Sequence, residues 1–180
     1  VCLFFHHRLY RGNRTTKQKA LDLDAFASPN FPPLARVGVN IEVDWLEVLK
    51  PTELASFKAH RNMDPHVGTL TLFPGISVDT LKAFLRAPLR GVVLQTFGAG
   101  NGPSNRPELL ETIADAVSSG IIVINCSQCM KGTVSDLYAT GIALRRAGVI
   151  PGHDMTTEAA LTKLSFLIGH QPPLSYEQIQ

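Results

Sequence analysis

The sequence is poor in cysteine and has no long hydrophobic segment. Only three of its 180 residues are cysteine, so a framework of structural disulfides is not expected and a reducing compartment is favoured. No stretch approaches the ~20 consecutive apolar residues that a membrane-spanning helix needs. The apolar run at residues 1–5 stops at His6 and His7 and is too short for the core of a signal peptide. We therefore expect a cytoplasmic protein.

Charge of either sign is also scarce. Charged residues make up 18% of the chain, and 17 basic against 15 acidic side chains give a net charge of +2. A protein that binds nucleic acid or an anionic membrane surface would carry a basic patch or stripe, which this sequence lacks. Small neutral or zwitterionic molecules stay open as ligands.

What the sequence does contain is apolar residues in regular patterns. Hydrophobic residues form 44% of the chain, enough for one complete core or for one domain and part of a second. The chain starts with Val1 directly inside a strand-like pattern. We interpret this start as the sign of a fragment of a longer protein.

The first third of the chain predicts a hairpin, an irregular segment and a linker that contains the domain boundary. The irregular segment holds several prolines, which block both helix and central strand. The hairpin covers residues 1–10 and turns at His6–His7, the irregular segment covers 12–40, and the linker covers 41–66 with one weak strand at 41–43.

From Val67 onward, strands and helices alternate. Ser77 can cap the first helix, and Asn105 with Glu108 resembles a capping box at the second. The order β-α-β-α-β-α-α predicts a doubly wound α/β domain that binds ligands at the carboxyl ends of its strands. The predicted strands are 67–73, 91–97 and 121–125, and the later predicted helices are about 136–147 and 156–168.

Two short motifs follow predicted strands. The stretch Gly98-Ala-Gly100-Asn-Gly102 could hold a phosphate or carboxylate with its amides, but its spacing differs from the dinucleotide fingerprint, which favours glycines of a tight turn. The pair Cys126-x-x-Cys129 could serve redox chemistry or half of a zinc site. Because no second ligand pair accompanies it, we expect small buried side chains, no metal and no cofactor.

Lys17 follows Thr15 and Thr16 in the polar segment GNRTTKQKA. Its setting alone does not separate it from the other basic residues, most of which must be solvated. The longer run VCLFFHHRLYRGNRTTKQKALDLDAFASPNFPPLARVG resembles the end of the catalytic domain of type I (cytosolic) L-asparaginases. The resemblance continues through GVVLQTFGAGNGP, IIVINCSQCMKGTV and YATGIALRRAGVIPGHDMTTEAALTKLSFLIG. The sequence resembles most the vertebrate members of this group, to which a lysophospholipase label is sometimes attached.

This resemblance implies hydrolysis of L-asparagine to L-aspartate and ammonia. In the family, a threonine nucleophile comes from a TGGTIG-like loop, and the Thr and Asp of a GTDT-like motif act with a lysine that matches Lys17. Both threonine motifs are absent from these 180 residues, so we expect them to be inactive alone. A nearby Asp would stabilise the ammonium form, and the implied role of Lys17 is therefore that of a proton relay and orienting charge.

The resemblance also implies a homodimer or dimer of dimers in which one C-terminal domain completes the neighbour's active site. Tyr138 is implied to reach across, and Asn101 to lie near the same interface. The alternatives are a half-buried packing residue for Tyr138 and a turn former for Asn101. Bacterial relatives carry an allosteric asparagine site, whose hydroxyl and thiol correspond to Ser127 and Cys129. Its arginine corresponds to Gln95, which predicts weak or absent activation by asparagine.

The sequence thus predicts the end of a catalytic α/β domain, present as hairpin and loop, followed by a small doubly wound parallel-sheet domain. A small-molecule substrate is expected, and no nucleic-acid or membrane partner. Two other functions stay open: a non-catalytic small-molecule-binding module, and the asparaginase-like subunit of a tRNA-dependent amidotransferase. The expected bounds are 1–45 for the catalytic remnant, 46–66 for the linker, 67–172 for the C-terminal domain and 173–180 for a tail.

Overall fold

The computed structural model describes residues 1–50, 59–135 and 139–179, without the side chains of residues 139, 140 and 176. The chain divides into two compact units, Val1–Arg61 and Asn62–Gln180. The first unit contains antiparallel strands, and the second contains a parallel sheet with helices. The predicted mixed α/β class is therefore confirmed.

The first unit opens with the predicted hairpin. Strands β1 (Cys2–Phe5) and β2 (Arg8–Arg11) pair antiparallel, with Phe5 opposite Arg8. The two residues between them, His6 and His7, have φ of 45° and 60°. A two-residue turn of type I′ requires positive φ at both central positions, and its twist matches that of the two strands.

The segment predicted to be irregular contains three short strands, so that prediction is wrong. Strands of two or three residues are too short to show an alternating pattern, and they form here because pairing partners lie elsewhere in the chain. The weak strand predicted at 41–43 is confirmed. The elements are a 3-10 turn (Gly12–Arg14), β3 (Thr16–Lys17) paired with β4 (Phe26–Ala27), and β5 (Ala35–Val37) and β6 (Ile41–Val43), which extend the first sheet in the order β1-β2-β5-β6.

The second unit is built on a four-stranded parallel sheet whose strands follow one another in chain order. A helix follows each strand, and a short helix ends the unit. In chain order the elements are β7 (Val67–Thr71), α1 (Val78–Phe84), β8 (Gly91–Thr96), α2 (Pro107–Ser118), β9 (Ile122–Ser127), α3 (Ala139–Arg146), β10 (Ile150–Pro151), α4 (Thr157–Ile168) and α5 (Tyr176–Ile179).

Helices cover both faces of this sheet. On one face, Leu81 of α1, Ile113 of α2 and Leu144 of α3 join one apolar cluster with alternate residues of β8 and β9. On the other face, α4 contributes Ala160 and Leu164 to a second cluster. Successive strand residues point to opposite faces, which explains why β8 and β9 are buried almost throughout. Each fully buried Leu or Ile contributes about 1.5–3 kcal/mol.

The helix starts are partly as predicted. The Ser77 hydroxyl accepts a hydrogen bond from Thr80 N–H at 3.0 Å, which confirms the predicted cap of α1. The capping box predicted at Asn105 and Glu108 is wrong: α2 begins at Pro107, and Glu108 instead accepts a hydrogen bond from Nε of Arg106 at 2.7 Å. Proline lacks an N–H and is therefore well suited to the first helical position.

The last strand of the sheet was not predicted. β10 has two residues and pairs with β9 through Ile150 opposite Ile124. Its second residue is Pro151, and a proline in the sequence by itself indicates a loop. Proline is tolerated in an edge strand, however, because no neighbouring strand needs its missing N–H. The start of the helix predicted from residue 136 lies outside the described residues, and α3 ends at Arg146 before Gly148, which has a φ of 84°.

A buried carboxylate ties the start of the sheet to α4. Asp64 accepts hydrogen bonds from the Arg90 guanidinium and from the backbone N–H of His66 at 2.7 Å. Its own backbone N–H donates to the Ser165 carbonyl at 3.0 Å, and the Ser165 hydroxyl donates back to its carbonyl at 2.7 Å. Burial raises the pKa of Asp64, but the His66 and Arg90 hydrogen bonds outweigh burial and hold it below the ordinary value.

Candidate active site

The predicted binding residue Asn101 lies on a tight turn that follows β8. Its backbone N–H donates to the Phe97 carbonyl at 2.7 Å, and the Phe97 N–H donates back to its carbonyl at 3.1 Å. Between them, Gly98 and Gly100 have φ of 49° and 100°, a conformation that costs glycine little and other residues much. The glycines of residues 98–102 are thus turn formers, and the turn presents an exposed Asn101 at the carboxyl end of the sheet.

A buried polar network holds this turn in place. The Thr96 hydroxyl donates to Oδ1 of Asn125 at 2.6 Å, and Nδ2 of Asn125 donates to the Gly100 carbonyl at 3.2 Å. Thr96 and Asn125 are 0% and 3% exposed, so leaving one of these groups unpaired would cost about 1–3 kcal/mol. A Cβ at Gly100 would lie 2.7 Å from Cγ1 of Val134, which leaves the turn no room to shift toward that residue.

The same turn is joined to the two loops that follow β9 and β10. The Ser135 N–H donates to the Ala99 carbonyl at 3.0 Å, and the Val134 N–H donates to the His153 carbonyl at 2.8 Å. Three loops at the carboxyl end of the parallel sheet are therefore fixed to one another. This is the end at which parallel α/β sheets bind ligands.

The predicted effector residues Ser127 and Cys129 lie side by side at this end. The Ser127 hydroxyl donates to the Gly98 carbonyl at 2.6 Å and accepts from the Cys129 N–H at 2.9 Å. The expectation that both cysteines are buried is confirmed for Cys126, which is 1% exposed, and is wrong for Cys129, which is a free, exposed thiol. Burial raises the pKa of Cys126 to about 11, so its thiol is protonated at neutral pH and chemically inert.

Gln95, at the position where the resemblance expects an arginine, is held by two threonines. The Thr71 hydroxyl donates to Oε1 of Gln95 at 2.5 Å, and Nε2 of Gln95 donates to the Thr157 hydroxyl at 2.8 Å. The amide thereby joins β7, β8 and the start of α4. An uncharged side chain already engaged at both ends cannot hold a carboxylate with the two parallel hydrogen bonds of a guanidinium.

Lys17 belongs to the first unit, in β3, opposite Phe26 of β4. It is exposed, its Nζ lies 5.8 Å from the centre of the Phe26 ring, and it makes no ion pair with another described residue. Lys19 differs: its Nζ lies 2.7 Å from a carboxylate oxygen of Asp24 and 3.3 Å from one of Asp22. Hydrogen bonds to Asp24 and Asp22 raise the pKa of Lys19. Of the two amines, that of Lys17 is the one open to a further partner.

The structure brings together some of the predicted site residues. Asn101, Ser127 and Cys129 share the carboxyl end of the parallel sheet, Lys17 lies in the other unit, and Tyr138 lies outside the described residues. Within residues 1–50, 59–135 and 139–179, no three His, Cys, Asp or Glu side chains are grouped as a metal site would require. No helix in those ranges is long and apolar enough to cross a membrane.

Sequence reasoning missed the side chains that position the site. Thr96 and Asn125 form the network beneath the turn, and Gln128 donates through Nε2 to the carbonyls of Leu72 and Gln95 at 2.7 and 3.0 Å. The signal that could have found them was a polar residue directly after an apolar run, as Asn125 is after Ile121-Ile-Val-Ile. A buried amide in such a place requires partners, and the natural partners are neighbouring turns.

Comparison with known proteins decides the family. The family profile "Glutaminase/Asparaginase C-terminal domain" matches residues 66–180, and the profile "Asparaginase, N-terminal" matches residues 1–49. The chain belongs to the glutaminase/asparaginase family. The resemblance to L-asparaginases seen in the sequence is therefore confirmed.

Individual members of the asparaginase family agree with this assignment. Over 97% of its own length, the chain is 48% identical to a mouse protein named 60 kDa lysophospholipase. Over 95% of its own length, it is 45% identical to L-asparaginase 1 of Escherichia coli. The crystal structure of L-asparaginase I from Vibrio cholerae covers 99% of the chain with a TM-score of 0.89 at 44% identity. More distant relatives from Pyrococcus species, at 31–32% identity, are named as a subunit of glutamyl-tRNA(Gln) amidotransferase.

The chain spans about half or less of these asparaginase-family proteins. It covers 31% of the mouse protein, 50% of the E. coli protein and 53% of the V. cholerae chain. The activity and partners of a whole protein of this family therefore go beyond what these 180 residues contain.

Proposed function

We propose that this chain is part of an L-asparaginase, an amidohydrolase that converts L-asparagine and water to L-aspartate and ammonia. The observation that carries the proposal is the match of both asparaginase domains in chain order. The similarity to L-asparaginases at 44–45% identity over at least 95% of the chain supports it. The turn bearing Asn101, fixed at the carboxyl end of the sheet, is a suitable place for a polar side chain that binds a small polar substrate.

The chemistry needs groups from both this chain and sequence outside it. A threonine hydroxyl attacks the side-chain amide carbon, ammonia leaves with a proton, and water then releases aspartate from the threonine ester. We assign the threonines to sequence beyond these 180 residues, because neither threonine motif occurs here. Lys17 is the proton relay: its amine has no carboxylate partner among the described residues and is open to the Asp of the triad.

We also propose that the whole protein is cytoplasmic and assembles from identical subunits. A cytoplasmic homodimer, or a dimer of dimers, places Tyr138 and Asn101 of one subunit beside the catalytic threonines of its neighbour. Within each subunit, residues 1–45 complete the catalytic domain, 46–66 form the linker, 67–172 form the C-terminal domain and 173–180 a tail. Ser127 and Cys129 keep the hydroxyl and thiol of an effector site, but Gln95 removes its charge, so activation by asparagine is weak or absent.

The test is an ammonia-release assay on the protein that contains this chain together with its upstream threonine motifs. L-Asparagine, L-glutamine and a lysophosphatidylcholine are offered separately, and turnover of L-asparagine is expected to exceed that of the other two. Absence of amide hydrolysis from a folded protein with both motifs would contradict the proposal. In that case a non-catalytic binding module becomes the better assignment.

A lysophospholipase is the second candidate, because a relative 48% identical to this chain carries that name. Release of fatty acid by the same preparation, lost together with amide hydrolysis in Lys17→Met, would support it. The amidotransferase component is the third candidate. It predicts ammonia release that depends on a partner protein and a charged tRNA, so unassisted hydrolysis of free asparagine speaks against it.

A further inference from the structure

A cavity of about 590 Å³ lies beside β10, at the edge of the parallel sheet. Its lining includes residues from the C-terminal end of α3, from β10 and from α4, together with Ile179 of α5. The volume is within the range of about 300–1,000 Å³ that is usual for small-molecule sites. None of Asn101, Ser127 and Cys129 lines it.

The floor of the cavity is apolar. Three partly buried side chains of the floor pack on the second apolar cluster of the sheet: Ile150 of β10, Met155 of the loop before α4, and Ile179 of α5. Leu167 of α4 also lines the cavity. Their open sides face the cavity, and covering such surface with an apolar ligand releases water from it. The floor therefore favours a hydrocarbon body over a polar one.

The rim of the cavity is basic. Arg145 of α3, His153 and Lys163 of α4 line it, and none of its described lining residues is acidic. The exposed Lys163 makes no ion pair with another described residue. The backbone at His153 is fixed, because its φ is 51° and its carbonyl accepts the Val134 N–H at 2.8 Å. Basic side chains from α3 and α4 thus lie beside an apolar floor.

We propose that this cavity binds a small amphipathic anion, an alkyl chain of about eight to twelve carbons that ends in a carboxylate or phosphate. The alkyl chain lies on the floor of Ile150, Met155 and Leu167, and the anionic head contacts Lys163 at the rim. The paired apolar and cationic surfaces argue against free asparagine, which has no hydrocarbon body. The binding proposed here does not rest on the proposed asparaginase reaction.

The first experiment titrates the purified protein with decanoate by calorimetry, with decyl phosphate, decanamide and acetate as comparisons. Decanamide keeps the alkyl body without the charge and is expected to bind at least about tenfold more weakly, the size of a lost charged hydrogen bond. Each methylene removed from decanoate should weaken binding up to about fourfold, the ratio that corresponds to 0.8 kcal/mol. The ratio of decanoate to decyl phosphate identifies the preferred head group.

Matched charge reversals then locate the site. Lys163→Glu should weaken decanoate binding by about tenfold or more. Lys82→Glu, the same change at an exposed position of α1 in the same unit, should leave decanoate binding unchanged. Methyl NMR of Ile150 and Leu167 should shift on titration in the wild type, and thermal melting shows that each variant is folded. No decanoate binding, equal binding of decanamide, or equal effects of the two reversals in folded protein would each overturn the proposal.

Discussion

Lys17 and Lys19 are two residues apart, and their amines have different surroundings. The Lys19 amine is engaged by Asp22 and Asp24, whereas the Lys17 amine lies near the Phe26 ring and has no carboxylate partner among the described residues. Both are exposed lysines of the same segment. They therefore form a matched pair for separating catalysis from surface charge.

In the active protein, Lys17→Met should lower turnover by about a hundredfold or more, the usual contribution of an acid–base group. Met keeps most of the apolar stem and removes the amine. Lys19→Met should keep turnover close to that of the wild type, because it removes only surface ion pairs, which contribute little. Steady-state rates are measured beside thermal melting for both variants. A Lys17→Met protein that melts normally and keeps its rate would show that Lys17 is a surface lysine.

Asp64 gives a prediction about stability and pH. Asp64→Asn removes the charge that Arg90 and His66 bind, and should lower the free energy of unfolding by about 1–3 kcal/mol at pH 7. The folded-state pKa of Asp64 lies below the ordinary value of 3.8. Its contribution is therefore complete well above pH 3.8 and is lost as the pH falls through the folded-state pKa.

Urea unfolding of wild type and Asp64→Asn over a pH series measures this contribution directly. The difference between the two proteins should be constant near neutral pH and should narrow below pH 3.8. Asp115→Asn, at an exposed carboxylate on α2, is the control for loss of a negative charge. If the difference in unfolding free energy between the two proteins does not change with pH, Asp64→Asn destabilises the fold for steric reasons. The charge of the Asp64 carboxylate would then not contribute to stability.

At the scale of elements, the turn after β8 depends on a side chain from β9. Asn125→Ala removes both hydrogen bonds of that side chain and leaves the Thr96 hydroxyl and the Gly100 carbonyl unpaired. We expect a loss of about 1–3 kcal/mol in stability. Because the turn carries Asn101, we also expect a larger rise in KM for asparagine than fall in kcat.

Two further variants separate the causes of the Asn125→Ala effect. Thr112→Val removes another buried hydroxyl, on α2, whose hydrogen bond goes to the Glu108 carbonyl of its own helix. It should cost stability without changing KM. Asn125→Asp keeps an acceptor for Thr96 but cannot donate to Gly100 when ionised. If Asn125→Ala and Thr112→Val affect KM equally, Asn125 is a structural residue and does not position the turn.

At the scale of the whole molecule, the proposed dimer makes Tyr138 a residue of the neighbour's active site. Tyr138→Ala should lower kcat/KM while the protein stays dimeric. Mixing Tyr138→Ala with Lys17→Met subunits gives the sharper measurement. In a mixed dimer, one site combines the intact Lys17 of one subunit with the intact Tyr138 of the other, so activity should reappear.

Recovery is measured on mixed dimers isolated with two different affinity tags. Dimers of either variant alone are the baseline, and activity well above both is the expected result. If the isolated mixed dimer has no more activity than the baseline, Tyr138 serves its own subunit's site or the core. That outcome would contradict the shared active site without affecting the family assignment.

The sequence by itself determined the elements whose signals are local. The hairpin that turns at His6–His7, the strands β7, β8 and β9, and the cap at Ser77 follow from alternation, apolar runs and a side chain that reaches its own backbone. The family followed from motifs that are contiguous in the chain. Local signals of this kind need no knowledge of what lies across the sheet.

The tertiary structure decided everything that depends on residues distant in sequence. Three strands, β3, β4 and β5, are too short to be recognised without their partners. β10 contains a proline, which is accepted there because β10 is an edge strand. The start of α2 lies beside Arg106, whose guanidinium donates to the Ile76 carbonyl. The positions of Asn125, Gln95 and the basic rim around Lys163 likewise arise from packing between elements. Hydrogen bonds and burial across a sheet are set by which strands become neighbours, and that choice is made by the whole core and not by any single segment.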